Sequence, residues 1–362
     1  MRLVVAGGGT GGHLFPGIAV ATAVRERIPG SQILFIGTSR LLDQQTLAGF
    51  DFESAALECG GIKGLRLSDR LRSLLLMPRA AGRALRMLRR FRPDLVFGVG
   101  GYVIGPVLLA AKLLRIPIAI HEQNSVPGMA NRFAGKLLAD LILISLPCMP
   151  PFPPGKTIQT GSPLRQEILA AAGREKQTTA TPTVLVLGGS QGAHRVNVLM
   201  MEAVERLLAQ RVAFRLIHQT GVTDCEQVTK HYAQLGIDAE VEPFINDMAG
   251  VYGRADLAVS RAGATTCAEL AAMGLPALLI PYPFAADNHQ ETNGKYYVQG
   301  GGCRLLRESG LTGETLACAI GDHLRNREAL QTMAVNMKAM AMPDATERIV
   351  DVCSRLVACR GR

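Results

Sequence analysis

The sequence predicts an α/β fold of parallel sheets in two domains, and three observations carry that expectation. Short apolar runs alternate with helix-length amphipathic segments along the chain, and several of those runs end in glycine loops. The chain is also long: 362 residues, 48% hydrophobic and 19% charged, exceed one ordinary core.

The first half carries the runs "LVVAG", "ILFIG", "LVFGVG" and "PIAIHE"; the second carries "TVLVLGG", "FRLIHQTG", "AEVEPFI", "LAVSRAG" and "ALLIPYP". Unbroken apolar runs of this length are strands covered on both faces, joined by crossover helices. "LVVAGGGTGGH" near the start is echoed by "TVLVLGGSQGAH", each a strand, a glycine loop and a histidine at a helix start. Two Rossmann-like domains facing across a cleft are therefore expected, residues 1–161 and 162–340. The junction is placed at "PPFPPGKTIQTGSPLR", where prolines block regular structure. Residues 341–362 read as a terminal helix that packs back on the first domain.

Eight cysteines are scattered without a C-x-x-C spacing, which implies free thiols in a reducing cytoplasm. The most apolar long stretch, "VIGPVLLAAKLLRIPIAI", carries Lys112, Arg115 and two prolines, so no membrane span is expected. The net charge of +9 is local: ten basic residues and one acid, Asp69, lie between Lys63 and Arg92, and 29 charges of each sign are spread elsewhere.

Each glycine loop is a candidate diphosphate cradle, because glycine lets the backbone approach a phosphate and the next helix offers free N–H groups. Gly7, Gly9 and Gly12 match G-x-G-x-x-G. A dinucleotide site also wants an acid after the second strand; "ILFIGTSR" has only Arg40, which leaves an NADP variant open. His13 points another way, because an imidazole at a helix start beside a phosphate cradle can take a proton or donate a hydrogen bond. Packing at a helix end is the plainer role for it. Ser190 and Gln191 read either as helix caps or as phosphate ligands.

In the second half, "SRAGATTCAELAAMGLPALLIPYP" reads as a strand end, a glycine loop and a helix closed by Gly274. Glu269 in that helix can accept both hydroxyls of a ribose, or simply favour the helix dipole. The loop "FAADNHQETN" groups short polar side chains suited to sugar hydroxyls or to solvent. The chain has no D-x-D, so no metal is expected on a nucleotide diphosphate, and helix dipoles with Arg165 would carry the leaving-group charge.

Taken in order, "GGGTGGHLFPG", "GVGGYVIGP", "HEQNSVPGMANR", "TGSPLR", "GGSQGAHRVN", "FINDM", "RAGATTCAEL" and "DNHQETN" resemble the MurG family across nearly the whole chain. These are inverting glycosyltransferases of the GT-B fold that complete the lipid-linked disaccharide-pentapeptide of peptidoglycan. The resemblance implies UDP-N-acetylglucosamine (UDP-GlcNAc) as sugar donor, on the second domain, and undecaprenyl-diphosphate-linked N-acetylmuramoyl pentapeptide as acceptor, on the first. It implies no cofactor, no metal and no nucleic acid.

It further implies His13 as base or acceptor-diphosphate ligand, with Glu122 as the alternative proton acceptor, and Tyr102, Gln123 and Asn131 on the acceptor face. Thr10, Gly11, Gly12, Asn124, Arg165, Ser190, Gln191, Ile245 through its backbone, Glu269, His289 and Gln290 would meet the sugar donor. Ser162 stands where the family pattern expects Asn, and His289 where some members carry Gln.

The basic segment then reads as a membrane-docking face. Arg79, Arg83, Arg86 and Arg90 lie on one helical side near Leu71, Leu74, Leu75, Leu76, Leu85 and Leu88. An anionic inner leaflet is the implied partner.

Overall fold

Strand β1 (Arg2–Ala6) begins the first sheet. It is followed by α1 (Gly11–Arg27), β2 (Gln32–Gly37), β3 (Glu53–Ala56), α2 (Leu67–Phe91), β4 (Leu95–Gly98), α3 (Ile104–Leu113), β5 (Ile118–Glu122), α4 (Met129–Leu137), β6 (Leu141–Ile144) and β7 (Thr157–Gln159). The computed structural model describes all residues except 9–10, 39–46, 48, 51, 59–66, 175–179, 190 and 361–362. Thr10, Ser190, Arg40, Lys63 and Arg66, singled out in the sequence, lie outside the described residues.

The seven strands are parallel in the order β3-β2-β1-β4-β5-β6-β7. Alternate side chains explain the unbroken apolar runs. Val4, Ile36, Val96 and Ile120 pack under Ala84 and Leu88 of α2 and Val107 and Leu108 of α3. Their neighbours Leu3, Val5, Phe35 and Phe97 pack under Leu14, Ile18 and Val24 of α1.

The second sheet is built from β8 (Thr183–Leu187), β9 (Arg215–Gln219), β10 (Ala239–Glu242), β11 (Leu257–Ser260), β12 (Ala277–Leu279) and β13 (Cys303–Leu305). Its helices are α5 (Gln166–Ala172), α6 (His194–Ala209), α7 (Cys225–Leu235), α8 (Met248–Arg254), α9 (Ala264–Met273), α10 (His289–Gln299), α11 (Gly313–Arg325) and α12 (Arg327–Ala339). The strands are again parallel, in the order β10-β9-β8-β11-β12-β13.

Compact unit 1 comprises Met1–Arg165 and Pro343–Arg362, and unit 2 comprises Gln166–Met342. The last helix, α13 (Ala345–Arg360), belongs to unit 1: Ile349, Val350 and Cys353 enter the core around α1, and Arg27 pairs with Asp351 at 2.8 Å. "TGSPLR" also falls in unit 1. The proline-rich junction is more ordered than its composition suggests, because β7 forms just past the prolines as an edge strand on β6.

In each sheet the strand order reverses at one place, between β1 and β4 and between β8 and β11. Loops leaving the carboxyl ends of such neighbours diverge and open a crevice, where open α/β sheets bind ligands. Both glycine loops leave a strand at such a point.

Candidate active site

In unit 1, α1 starts at Gly11, so His13 lies in its first turn, half-buried, with the loop after β4 beneath it. Gly100, at φ +109°, lies flat against the imidazole: a Cβ there would come within 2.6 Å of His13 Cδ2. Only glycine fits that contact and that backbone. Tyr102 follows in the same loop, half-buried.

Glu122 ends β5 and is 1% exposed. Its Oε1 accepts hydrogen bonds from the Asn124 backbone N–H at 2.9 Å and Asn124 Nδ2 at 3.2 Å. Its Oε2 accepts from Gly128 N–H at 3.0 Å and Asn131 Nδ2 at 2.8 Å. Four N–H groups therefore occupy both oxygens, and the carboxylate organises "EQNSVPGMAN".

Gln123 turns the other way and donates from Nε2 to the Val99 carbonyl at 3.0 Å, which ties this loop to the one under His13. Among the described residues, the buried Gln123 Oε1 and Asn131 Oδ1 have no hydrogen-bond partner. Behind them His121 is fully buried, and burial pushes its imidazole down to about 4, so it is neutral at pH 7. It donates from Nε2 to the Gly161 carbonyl at 3.1 Å. Arg165 closes this half with its guanidinium 5.0 Å from the Phe15 ring centroid.

In unit 2 the cap position of α6 is Ala193, without a side-chain cap, so Gln191 in the exposed loop before it does not cap this helix. The N-terminal amides of α9 are likewise uncapped by a side chain, with Gly263 at the cap position. Each terminus offers free N–H groups and a positive dipole end to an anion.

Glu269 is buried in α9, and its Oε2 accepts from the Tyr252 hydroxyl at 2.9 Å. The Ile245 N–H is already engaged, donating to Gln219 Oε1 at 3.0 Å. Gln290 accepts from Tyr282 N–H through Oε1 at 2.9 Å. His289 donates from Nδ1 to the Ala286 carbonyl at 2.8 Å and is fixed by it. Gly274 closes α9 at φ +63°, as its position after the periodic residues indicates.

Three further residues brace these loops, and two of them carry no sequence signal of their own. Arg261, buried after β11, donates to the Ile280 and Pro281 carbonyls, pairs with Glu308 and stacks on Tyr282, bracing the loop before Gln290. Asp224 accepts from His194 Nδ1 at 3.1 Å and Asn197 Nδ2 at 2.7 Å behind the second glycine loop. Gln219 bridges two loops. The "HQTG" run is its one local signal, a buried strand ending in polar residues. Among the described residues no group of three or more His, Cys, Asp or Glu is arranged to hold a metal ion.

Residues 3–142 match the glycosyltransferase family 28 N-terminal domain, and residues 183–349 the C-terminal domain. A UDP-N-acetylglucosamine--N-acetylmuramyl-(pentapeptide) pyrophosphoryl-undecaprenol N-acetylglucosamine transferase of Desulfotalea psychrophila is 48% identical over 98% of this chain and 97% of that protein. One of the same name from Anaeromyxobacter dehalogenans is 42% identical over 99% and 94%.

The crystal structure of Acinetobacter baumannii MurG superposes with a TM-score of 0.79 at 31% identity, covering 98% of this chain and 99% of that one. A putative UDP-N-acetylglucosamine 2-epimerase of Listeria monocytogenes shares the fold, with a TM-score of 0.69 at 16% identity over 96% and 94%. Two parallel sheets, a glycine loop at each switch point and near-full-length identity to these transferases lead to one conclusion: the chain is a two-domain GT-B enzyme that belongs to glycosyltransferase family 28, among the MurG N-acetylglucosaminyltransferases.

Proposed function

We propose that the chain transfers N-acetylglucosamine from UDP-GlcNAc to the C4 hydroxyl of undecaprenyl-diphosphate-linked N-acetylmuramoyl pentapeptide, with inversion, forming a β-1,4 bond in peptidoglycan synthesis. The observation that carries this reading is identity to transferases of that name running through both units. Unit 1, with α13, is assigned to the acceptor and unit 2 to the sugar nucleotide.

The chemistry is a direct displacement. The acceptor oxygen attacks the anomeric carbon, its proton passes to His13 Nε2 or Nδ1, and UDP leaves with the electron pair of the broken bond. Glu122 is assigned to positioning, because both its oxygens are occupied. Gln123, Asn131 and Tyr102 are assigned to the acceptor side. Asn124 belongs with the transferred sugar.

For the nucleotide, the N-terminal amides of α6 and α9 are assigned to the diphosphate together with Gln191, and Ser190 and Arg165 are assigned to it as well. Glu269 is assigned to the ribose hydroxyls, and the Ile245 backbone to the uracil. Gln290 and His289 meet the GlcNAc hydroxyls. Glu269→Ala is expected to weaken UDP binding by about tenfold or more, since a charged hydrogen bond contributes roughly 1.5–3 kcal/mol. Calorimetric titration with UDP checks this, and wild-type affinity would remove Glu269 from the ribose site.

The acceptor is lipid-anchored, so we assign the enzyme to the cytoplasmic face of the inner membrane as a peripheral protein. No described helix is long and apolar enough to cross a membrane. Arg79, Arg83, Arg86, Arg89 and Arg90 are exposed along α2. Helix α3 packs on α2, and α4 on α3, where Leu109, Leu113, Met129, Phe133 and Leu137 are exposed beside Lys112, Arg132 and Lys136. Apolar side chains ringed by cations suit an anionic leaflet. The pair Leu113→Asp and Phe133→Asp is expected to lower binding to phosphatidylglycerol vesicles by about tenfold or more, because each burial lost is worth up to roughly 1.5–3 kcal/mol. Unchanged sedimentation with vesicles would move the docking face elsewhere.

The reading as a whole is tested by incubating the protein with labelled UDP-GlcNAc, a short-chain acceptor analogue and a chelator. Label in the lipid fraction is expected. Absence of transfer, with UDP still bound, would favour another reaction on the same sugar nucleotide.

A further inference from the structure

In the second sheet β9 lies between β8 and β10, and Gln219 is its last residue. Past this point β8 and β10 have ended and the chains that follow them leave the sheet. The chain after β8 becomes the glycine loop, and the chain after β10 becomes "FINDM".

Gln219 spans the gap between them. Its side chain, on a residue 5% exposed, donates from Nε2 to the Gly189 carbonyl and accepts at Oε1 from the Ile245 N–H, each at 3.0 Å. The backbone that follows continues the same clamp. Thr220 and Gly221 donate to the Glu242 and Pro243 carbonyls at 3.0 and 3.1 Å, and a Cβ on Gly221 would lie 2.6 Å from the Gln191 carbonyl oxygen.

Both ends of the bridge demand a particular chemistry. One partner is a carbonyl and needs a donor; the other is an amide and needs an acceptor. A primary amide supplies both. Glutamate keeps the acceptor and opposes a second oxygen to Gly189, and methionine fills a similar volume while supplying neither.

We propose that Gln219 is a positioning residue for the sugar nucleotide: its side chain sets the spacing between the loop that holds the diphosphate and the segment that holds the base. The inference rests on the assignment of UDP-GlcNAc to unit 2. A ligand that touches one loop gains little from that spacing. A ligand that touches both finds them already registered and avoids ordering them on binding. The effect therefore falls on binding and not on the displacement step, in which Gln219 takes no part.

Gln219→Met and Gln219→Glu in the full-length enzyme test this, with kcat and both KM values from the transfer assay and inhibition constants for UDP and for uridine. For Gln219→Met the expected result is a KM for UDP-GlcNAc and an inhibition constant for UDP raised about tenfold, with kcat and the acceptor KM within about threefold. Uridine, which cannot reach the diphosphate loop, should lose about threefold or less. Gln219→Glu should fall between wild type and Gln219→Met for uridine and match Gln219→Met for UDP, because only its link to Gly189 is broken.

Equal losses for UDP and uridine, or wild-type values for UDP in both variants, would overturn the inference. A variant that merely folds less well lowers the active fraction and leaves these constants unchanged, which also counts against it. Wild-type protein that fails to bind UDP would instead overturn the assignment of the sugar nucleotide to unit 2, and this inference with it.

Discussion

His13→Ala is expected to lower kcat by about 10²–10⁴-fold, the usual contribution of a positioned proton-transfer group, with the KM for UDP-GlcNAc within about threefold. His13 sits in the first turn of α1 at the point where the strand order of its sheet reverses, and UDP-GlcNAc is assigned to the other unit. Losing the imidazole should therefore spare nucleotide affinity and remove the step that takes the acceptor proton.

Gly100→Ala supplies a second arm. The new Cβ would enter the space of the His13 ring at a backbone angle that alanine adopts at a cost, so the imidazole must move. A loss of kcat in this variant, with His13 still present, would show that the position of the ring matters and not merely its chemistry. Wild-type turnover in His13→Ala would remove His13 from the reaction and leave it a packing role.

The sequence reveals the fold wherever the hydrophobic signal is strong. Strands buried on both faces, such as β1, β4, β8 and β11, read as unbroken apolar runs. The edge strands β3, β7 and β13 do not, because each is three or four residues long and partly exposed, so neither length nor pattern separates them from loops. The motif spacing placed His13, Glu122 and Glu269 on the right elements but said nothing of where each side chain turns. Glu122 and Asn131 are nine residues apart in sequence, and only the fold of the intervening loop brings the amide onto the carboxylate. Arg261, Asp224 and Gln219 lay beyond reach for a related reason. Their partners are 19 to 47 residues away, and a long-range polar contact leaves no periodic trace.

Glu122→Gln should separate positioning from catalysis at this carboxylate. The substitution keeps size and shape but replaces one oxygen, an acceptor of two hydrogen bonds, by an NH₂ group. Whichever way the amide turns, it sets donors against donors: either the Asn124 N–H and Nδ2, or the Gly128 N–H and Asn131 Nδ2. Each buried donor left without its acceptor costs about 1–3 kcal/mol, so the loop should loosen and the protein lose roughly 2–5 kcal/mol of stability.

Activity should fall mainly through the acceptor KM, because Gln123 and Asn131, both assigned to the acceptor, lie at the two ends of the loop that Glu122 holds. Thermal unfolding together with kcat and KM for both substrates reads the two effects. If Glu122 were instead the base, the amide would abolish kcat while the acceptor KM stayed near wild type, whatever the loss of stability. That pattern would return the proton to Glu122 and leave His13 to hold the acceptor diphosphate. The four hydrogen bonds on two oxygens favour the first outcome, since a carboxylate whose lone pairs are all engaged by the protein must break one of those contacts before it can receive a proton.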